Sequence, residues 1–131
     1  MSDKGSSDSP AICKRTFDFA VRIVKLCQYL HEQPGVSRIL CGQLLRAGTS
    51  IGANVEEAQA GQSRPDFISK YAIALKEARE TQYWLRLLIA SDVIPESRLV
   101  ELLKEADELT RIIGAIIVSS KRVAGESKIE E

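Results

Sequence analysis

Glutamates are the first residues in this chain whose type and spacing could do chemistry. Glu77 and Glu80 are three residues apart, so they are neighbours on a helix surface, and Glu56 and Glu57 stand earlier in the sequence. Four carboxylates inside a helical bundle could hold a two-metal centre. That chemistry normally takes Glu-x-x-His from two helices, and neither motif is present. We therefore predict no metal and no cofactor.

Nucleophilic catalysis finds no better support in the sequence. Cys13, Cys27 and Cys41 form no CxxC pair and have no histidine cluster, and no Gly-rich phosphate loop follows a strand. We expect buried, reduced thiols without a histidine partner. His31 is expected to lie at a helix C-terminus, where its charge would suit the helix dipole. We predict a non-enzyme with no catalytic residues.

Structural pairing is the alternative role for the glutamates. A polar cluster between helices would fix their register at some cost in stability. We predict such a cluster from the following residues: Arg46, Asn54, Glu57, Glu77 and Glu80.

Positive charge is concentrated locally in the first half of the chain. The total charge is zero, with 18 basic and 18 acidic residues, which argues against broad nonspecific binding of nucleic acid but allows a local patch. A solvated helix face is the simpler interpretation. The candidates for contact with phosphates are Lys14, Arg15, Arg22, Lys25, Arg38 and Arg46.

Hydrophobic spacing predicts four helices joined by short turns, and hence an all-α, antiparallel up-down-up-down four-helix bundle. In the second helix, Gly48 and Gly52 line a face on which another helix can pack closely. The third helix is predicted over residues 64–90, because Ser63 can cap it and Pro65 fits its first turn. The first is predicted to begin near Thr16, and the fourth at Pro95. The predicted inner stripe of the first helix is Phe17, Ala20, Val21, Val24, Cys27 and Leu30.

The 131 residues are enough for one domain. We predict a disordered tail at 1–12, the bundle at 13–123 and a frayed tail at 124–131. No apolar run approaches the roughly 20 residues needed to span a bilayer, and the N-terminus has no apolar signal core. We predict a cytoplasmic protein with no membrane partner.

Surplus apolar surface on the third helix predicts self-association, because large exposed apolar patches usually mark interfaces. The candidate interface residues are Tyr83, Trp84, Leu87 and Leu88. Spacing alone gives no subunit number.

Three segments carry a resemblance to a known family: LLRAGTSIGANVEEAQ, QSRPDF and IALKEARETQYWLRLL. Over about residues 17–122 the chain resembles the four-helix-bundle proteins encoded in intervening sequences of 23S ribosomal RNA genes, to which accessory proteins of diversity-generating retroelements are similar. The resemblance implies that Asn54 and Glu57 belong to the recurrent motif, and Ala58 stands where the family often has Gly. It also implies a closed ring of five subunits.

Two functions follow as hypotheses. The first, implied by the resemblance, is a homopentameric protein associated with RNA or with a nucleic-acid-processing partner. The alternative is a protein–protein adaptor or scaffold that binds no nucleic acid. A continuous basic band would favour the first, and charges paired throughout would favour the second.

Overall fold

Four α-helices make up the fold in the computed structural model, which describes residues 10–61 and 63–130, with side chains as far as residue 125. A 3₁₀ turn, Glu96–Arg98, follows Pro95. No strand occurs in the described residues, so the predicted all-α bundle is confirmed. The helices are α1 (Ala11–Glu32), α2 (Val36–Gln59), α3 (Arg64–Ala90) and α4 (Val100–Glu130).

The bounds of α3 follow from its end signals, as the sequence predicts. The Ser63 side-chain oxygen accepts a hydrogen bond from the Asp66 backbone N–H at 3.2 Å, and Pro65 stands in the first turn. At the other end, Asp92 adopts a left-handed backbone with φ of 55°. Its N–H donates to the Ile89 carbonyl at 3.1 Å, which satisfies one of the carbonyls left open by the helix end.

α1 begins earlier than predicted, and Thr16 is not its cap. The helix starts at Ala11, directly after Pro10. The Thr16 hydroxyl is buried and donates to the Ile12 carbonyl at 2.9 Å, one turn back within the helix. Because Ile12 is buried in the core, residues 11 and 12 belong to the bundle rather than to the predicted tail.

The ends of the chain are described only in part. Residues 1–9 and 131 lie outside the described residues. The backbone is helical through the segment predicted to fray, as far as Glu130. Fraying concerns motion, and it stays a prediction.

α1 and α2 run antiparallel and approach closely at two glycines. A Cβ added to Gly48 would lie 2.9 Å from Ile23 Cγ1, and one added to Gly52 would lie 3.2 Å from the Thr16 carbonyl oxygen. Thr16 lies opposite Gly52, and Ile23 lies opposite Gly48. The residue numbers therefore rise along α1 as they fall along α2. The predicted close contact is confirmed, because a larger residue at either position would have to displace its neighbour.

The other helix pairs are antiparallel by the same test. Between α2 and α3, Arg46 pairs with Glu77, and Glu57 pairs with Lys70. Along this contact the residue numbers rise on one helix as they fall on the other.

α1 and α4 complete the bundle through a sparser contact. Arg15 near the start of α1 pairs with Glu105, whereas the Arg98 guanidinium, ahead of α4, lies 4.4 Å from the ring centre of Tyr29 near the end of α1. α1 is therefore antiparallel to α4 as well as to α2. The helices follow one another around the bundle, so α1 and α3 are diagonal.

The predicted inner stripe of α1 is largely wrong. Cys27 and Leu30 are buried as predicted, but Phe17, Val21 and Val24 are exposed. The sequence carries two apolar stripes on this helix, and its spacing does not decide which of them faces the core. The buried side chains are Ile12, Thr16, Phe19, Ile23, Leu26, Cys27 and Leu30.

Candidate interaction surfaces

Part of the predicted polar cluster forms at the α2–α3 contact. The Arg46 guanidinium bonds the Glu77 carboxylate at 3.0 Å and also bonds the Glu80 carboxylate. The Trp84 indole N–H donates to Glu80 at 3.0 Å. The Trp84 and Arg46 donors hold the pKa of Glu80 below its usual range, because both favour the charged carboxylate. Arg46, Glu77 and Glu80 thus link the two helices.

Asn54 and Glu57 do not join that group. The Asn54 amide donates to the Ser50 carbonyl at 2.8 Å within α2, and Glu57 pairs with Lys70 of α3 at 3.0 Å. The predicted five-residue cluster is therefore wrong as a single unit. It divides into one three-residue network and separate contacts further along α2.

Half of the cations predicted to contact phosphate are paired with carboxylates. Lys14 pairs with Asp18 at 2.8 Å along α1. Arg15 pairs with Glu105 at 2.6 Å and with Glu108 at 3.2 Å, and these hydrogen bonds hold its pKa above the usual range. Arg46 is engaged as described above. A phosphate would have to compete with these carboxylates for three of the six predicted residues.

Arg22, Lys25 and Arg38 make up the remainder of that set, and all three are exposed. The Arg38 side chain donates to the His31 carbonyl at the end of α1, at 3.1 Å. In the part of the chain that the structure describes, none of the three forms an ion pair. Arg22 and Lys25 are three residues apart, so they are the pair on α1 that remains open to a phosphate.

The residues predicted as an oligomer interface on α3 do not form one exposed apolar patch. Leu88 is 1% exposed and belongs to the core, so its side chain is not available to another subunit. Trp84 is half-buried and bonded to Glu80. Tyr83 is 50% exposed and meets Trp84 edge-on, with ring centres 5.2 Å apart.

An apolar stripe instead lies on the outer side of α1. Phe17, Val21 and Val24 recur at three-and-four spacing, and all are exposed. Val24 also lines a cleft of about 630 Å³ together with Leu45 of α2, whose side chain is exposed too. We name these four residues the α1 apolar face. The sequence shows the helical spacing of Phe17, Val21 and Val24, but it wrongly predicts that these three residues face the core.

A row of cations lies along the solvent side of α3. Lys76, Arg79 and Arg86 are exposed, and Tyr83 lies among them. With about 100° between successive residues, the spacing of these four puts them on one side of the helix. We name them the α3 basic face. Sequence reasoning missed it because Glu77 and Glu80 stand beside Lys76 and Arg79 in the sequence, although the helix turns both acids towards α2.

One cysteine lies beside the single histidine, contrary to prediction. Cys41 Sγ is 3.9 Å from His31 Nδ1, but the thiol donates to the Arg38 carbonyl at 2.9 Å and Cys41 is buried. The Cys27 thiol is buried close by, and burial raises its pKa to about 12. A protonated thiol is a poor nucleophile, so Cys27 suits a structural role.

The glutamates considered for a metal centre do not converge on one point. Glu77 and Glu80 are held by Arg46, whereas Glu57 is held by Lys70. Among the described residues, no group of three or more His, Cys, Asp or Glu side chains is placed to hold a metal ion.

Comparison with protein families identifies the chain. The model of the 23S rRNA-intervening sequence protein family matches residues 9–115, which is most of the sequence. The chain belongs to this family. The resemblance seen in the sequence is thereby confirmed.

A solved structure supports the same assignment. The chain is 42% identical to a Bacteroides thetaiotaomicron protein of unknown function from the S23 ribosomal protein family, with a TM-score of 0.76. The alignment covers 82% of this chain and 98% of that one. A comparison with curated proteins gave no match.

Membership of the 23S rRNA-intervening sequence protein family fits the small residues at the α1–α2 contact. Gly48 and Gly52 lie in one of the segments that carried the resemblance, and both are buried. No helix in the described part of the chain is long and apolar enough to span a membrane.

Proposed function

We propose that this chain is a non-enzymatic, homopentameric scaffold of the 23S rRNA-intervening sequence type, which associates with RNA or with a nucleic-acid-processing partner in the cytoplasm. The observation that carries the self-association is the α1 apolar face. Exposed apolar side chains in a contiguous stripe favour association, because contact removes them from water. Family membership supports the link to RNA.

The α1 apolar face replaces the α3 residues as the proposed subunit contact. Phe17 is 58% exposed, and Val21, Val24 and Leu45 extend the same surface across α1 and α2. Leu88, by contrast, is already used inside the bundle. A subunit packed on α1 would cover apolar side chains that are exposed in the single chain.

The subunit number can be measured by light scattering coupled to size-exclusion chromatography. We expect a mass five times that of the 14.5 kDa chain. Phe17→Glu should give monomers, because a carboxylate would be buried at the contact without a partner. Val118→Glu is the matched control, since Val118 of α4 is also 58% exposed, and it should leave the pentamer intact.

A monomeric wild type would contradict the proposed assembly. A pentamer that survives Phe17→Glu but dissociates with Val118→Glu would move the contact to α4 and refute the role of α1.

A non-enzymatic role is consistent with the state of the thiols. Cys27 and Cys41 are buried, and Cys41 bonds a backbone carbonyl rather than projecting towards a substrate. Three free cysteines also suit a reducing compartment.

Association with RNA can be tested by fluorescence anisotropy with labelled structured RNA, at low salt and again at near-physiological salt. Binding that weakens steeply with salt would support the proposal, since neutralising phosphates releases counterions. If no RNA binds even at low salt, this part of the proposal fails.

A protein–protein adaptor without nucleic acid is the second candidate. The observation that favours it is the pairing of Lys14, Arg15 and Arg46 with carboxylates. Cations that are already paired with carboxylates bind a polyanion weakly. Failure to bind RNA, together with an intact pentamer, would leave this candidate in place.

A further inference from the structure

We propose that the α3 basic face binds single-stranded RNA, with its cations on the phosphates and Tyr83 stacked against an unpaired base. This inference rests on the proposed association with RNA. It assigns that association to a surface on α3, away from the cations of α1 that the sequence suggested.

The charge on the α3 basic face is open to a ligand. In the part of the chain that the structure describes, Lys76, Arg79 and Arg86 form no ion pair. The acids nearest in sequence are turned away, because Glu77 and Glu80 bond Arg46 at the α2–α3 contact. The positive charge of Lys76 helps to lower the pKa of Glu80, but the hydrogen-bond partners of the Glu80 carboxylate are Arg46 and Trp84.

The outer side of α3 contrasts with the surface that the sequence favoured. On α1, Lys14 and Arg15 meet Asp18, Glu105 and Glu108 at hydrogen-bond distance. A chain with no net charge can bind a polyanion where its cations are separated from its acids. The structure provides that separation on the outer side of α3.

The length of the face suits an extended strand. Lys76 and Arg86 are ten residues apart, which is about 15 Å along a helix. A flexible single strand can follow such a row, with phosphates meeting Lys76, Arg79 and Arg86 in turn.

Tyr83 gives the face its preference for unpaired bases. Its ring is half exposed between Arg79 and Arg86, and it lines a cleft of about 220 Å³ with Arg86, Leu87 and Ala90. Aromatic rings on a cationic track are the usual platform for single strands, because every base has a face that can stack. In a duplex, those faces are already stacked on neighbouring bases.

The test is a titration of labelled uridine 12-mer against the full chain at several salt concentrations. Arg79→Gln with Arg86→Gln removes two phosphate contacts, so the slope of log K against log salt should become less negative by about 1.4. Arg22→Gln with Lys25→Gln is the matched control. It removes the same charge from α1, and its slope should equal that of the wild type.

Tyr83 is tested separately from the charges. Tyr83→Ala should weaken binding by roughly 5-fold or more through loss of base stacking, whereas Tyr83→Phe keeps the ring and should bind like the wild type. Trp84, the single tryptophan, lies beside Tyr83 and offers a second signal. Its fluorescence should be quenched as RNA binds. A duplex of the same length should bind more weakly than the single strand.

The outcomes separate this inference from the proposed function. RNA binding that responds to the α1 pair but not to the α3 pair would overturn the inference and leave the association with RNA standing. Equal loss with Tyr83→Ala and Tyr83→Phe would overturn the stacking role. If neither the 12-mer nor structured RNA binds at low salt, both proposals fail.

Discussion

Alanine substitutions at two glycines of α2 should differ in their effect on stability. A Cβ at Gly48 would lie 2.9 Å from Ile23 Cγ1, which is closer than packed atoms approach. At Gly42, on the same helix, a Cβ would meet nothing within 4 Å. Both substitutions gain the same helix propensity, about 1 kcal/mol. The difference between them therefore isolates the α1–α2 contact.

The steric cost at Gly48 can be set against that gain. Ile23 is buried and β-branched, so it has few other rotamers to adopt. Overpacking of this kind costs about 1–3 kcal/mol. Gly48→Ala should then lower the free energy of unfolding by between zero and about 2 kcal/mol. Gly42→Ala should raise it by up to about 1 kcal/mol.

Urea unfolding followed by circular dichroism measures both variants. With a slope of about 2 kcal/mol/M, the two midpoints should differ by about 0.5–1.5 M. All samples need one protein concentration, because assembly shifts apparent stability. Equal midpoints for the two variants would refute the argument that Gly48 is required by close packing. Gly52→Ala offers a further check, since its Cβ would press on the Thr16 carbonyl at 3.2 Å.

Three other measurements test local features of the fold. Asp92→Gly should raise stability by up to about 1 kcal/mol in thermal unfolding, because Asp92 holds a left-handed backbone that glycine adopts without strain; a lower Tm would contradict this. The pKa of Cys27 is raised to about 12 in the native state, so its contribution to stability is complete below the unfolded value near 9 and is lost as pH rises towards 12. Cys27→Ala should thus lose less stability than the wild type between pH 9 and 12. An equal loss of stability in the two proteins would contradict the raised pKa of Cys27. The pKa of Glu80 is lowered, so its contribution is present above the unfolded value near 4.3 and is lost as pH falls below it. With Glu80→Gln, the urea midpoint should fall less steeply than in the wild type as the pH is lowered below that value. The same pH dependence in both proteins would show that the hydrogen bonds from Arg46 and Trp84 to Glu80 contribute nothing measurable to stability.

The fold was predictable where local signals and long-range packing agree. α3 has the predicted bounds because Ser63 and Pro65 specify its start and the turn after Ala90 specifies its end. Glycine is unfavourable inside a helix unless a neighbour needs the space, and this reasoning identified Gly48 and Gly52 correctly. The same reasoning predicts a close contact at Gly42, where it is wrong, because an added Cβ would meet nothing within 4 Å.

The orientation of α1 was not predictable from its own sequence. Phe17 and Val21 are as apolar as Phe19 and Ile23, and both pairs have helical spacing. The choice is made by α2, where Gly48 and Gly52 accept the side of α1 that carries Ile23 and Thr16. That information lies about 30 residues away in the chain.

The distribution of charge over the surface was not predictable from the sequence for a related reason. Residues 76–80 alternate cations with acids, so a linear scan finds them neutral, whereas the turn of the helix separates the two signs. On α1 the sequence shows a basic group, but the acids that neutralise Arg15 come from α4. Charge along the sequence is therefore a poor guide to charge on a surface when partners come from other helices.

The two proposed surfaces are compatible because of where their helices stand. α1 and α3 are diagonal in the bundle, so the α1 apolar face and the α3 basic face are built from different side chains and do not overlap. An assembly joined through α1 would then carry one α3 basic face per subunit. A strand long enough to reach two of these faces would bind the second at a high effective concentration, so weak contacts from a chain with no net charge could add up to firm binding.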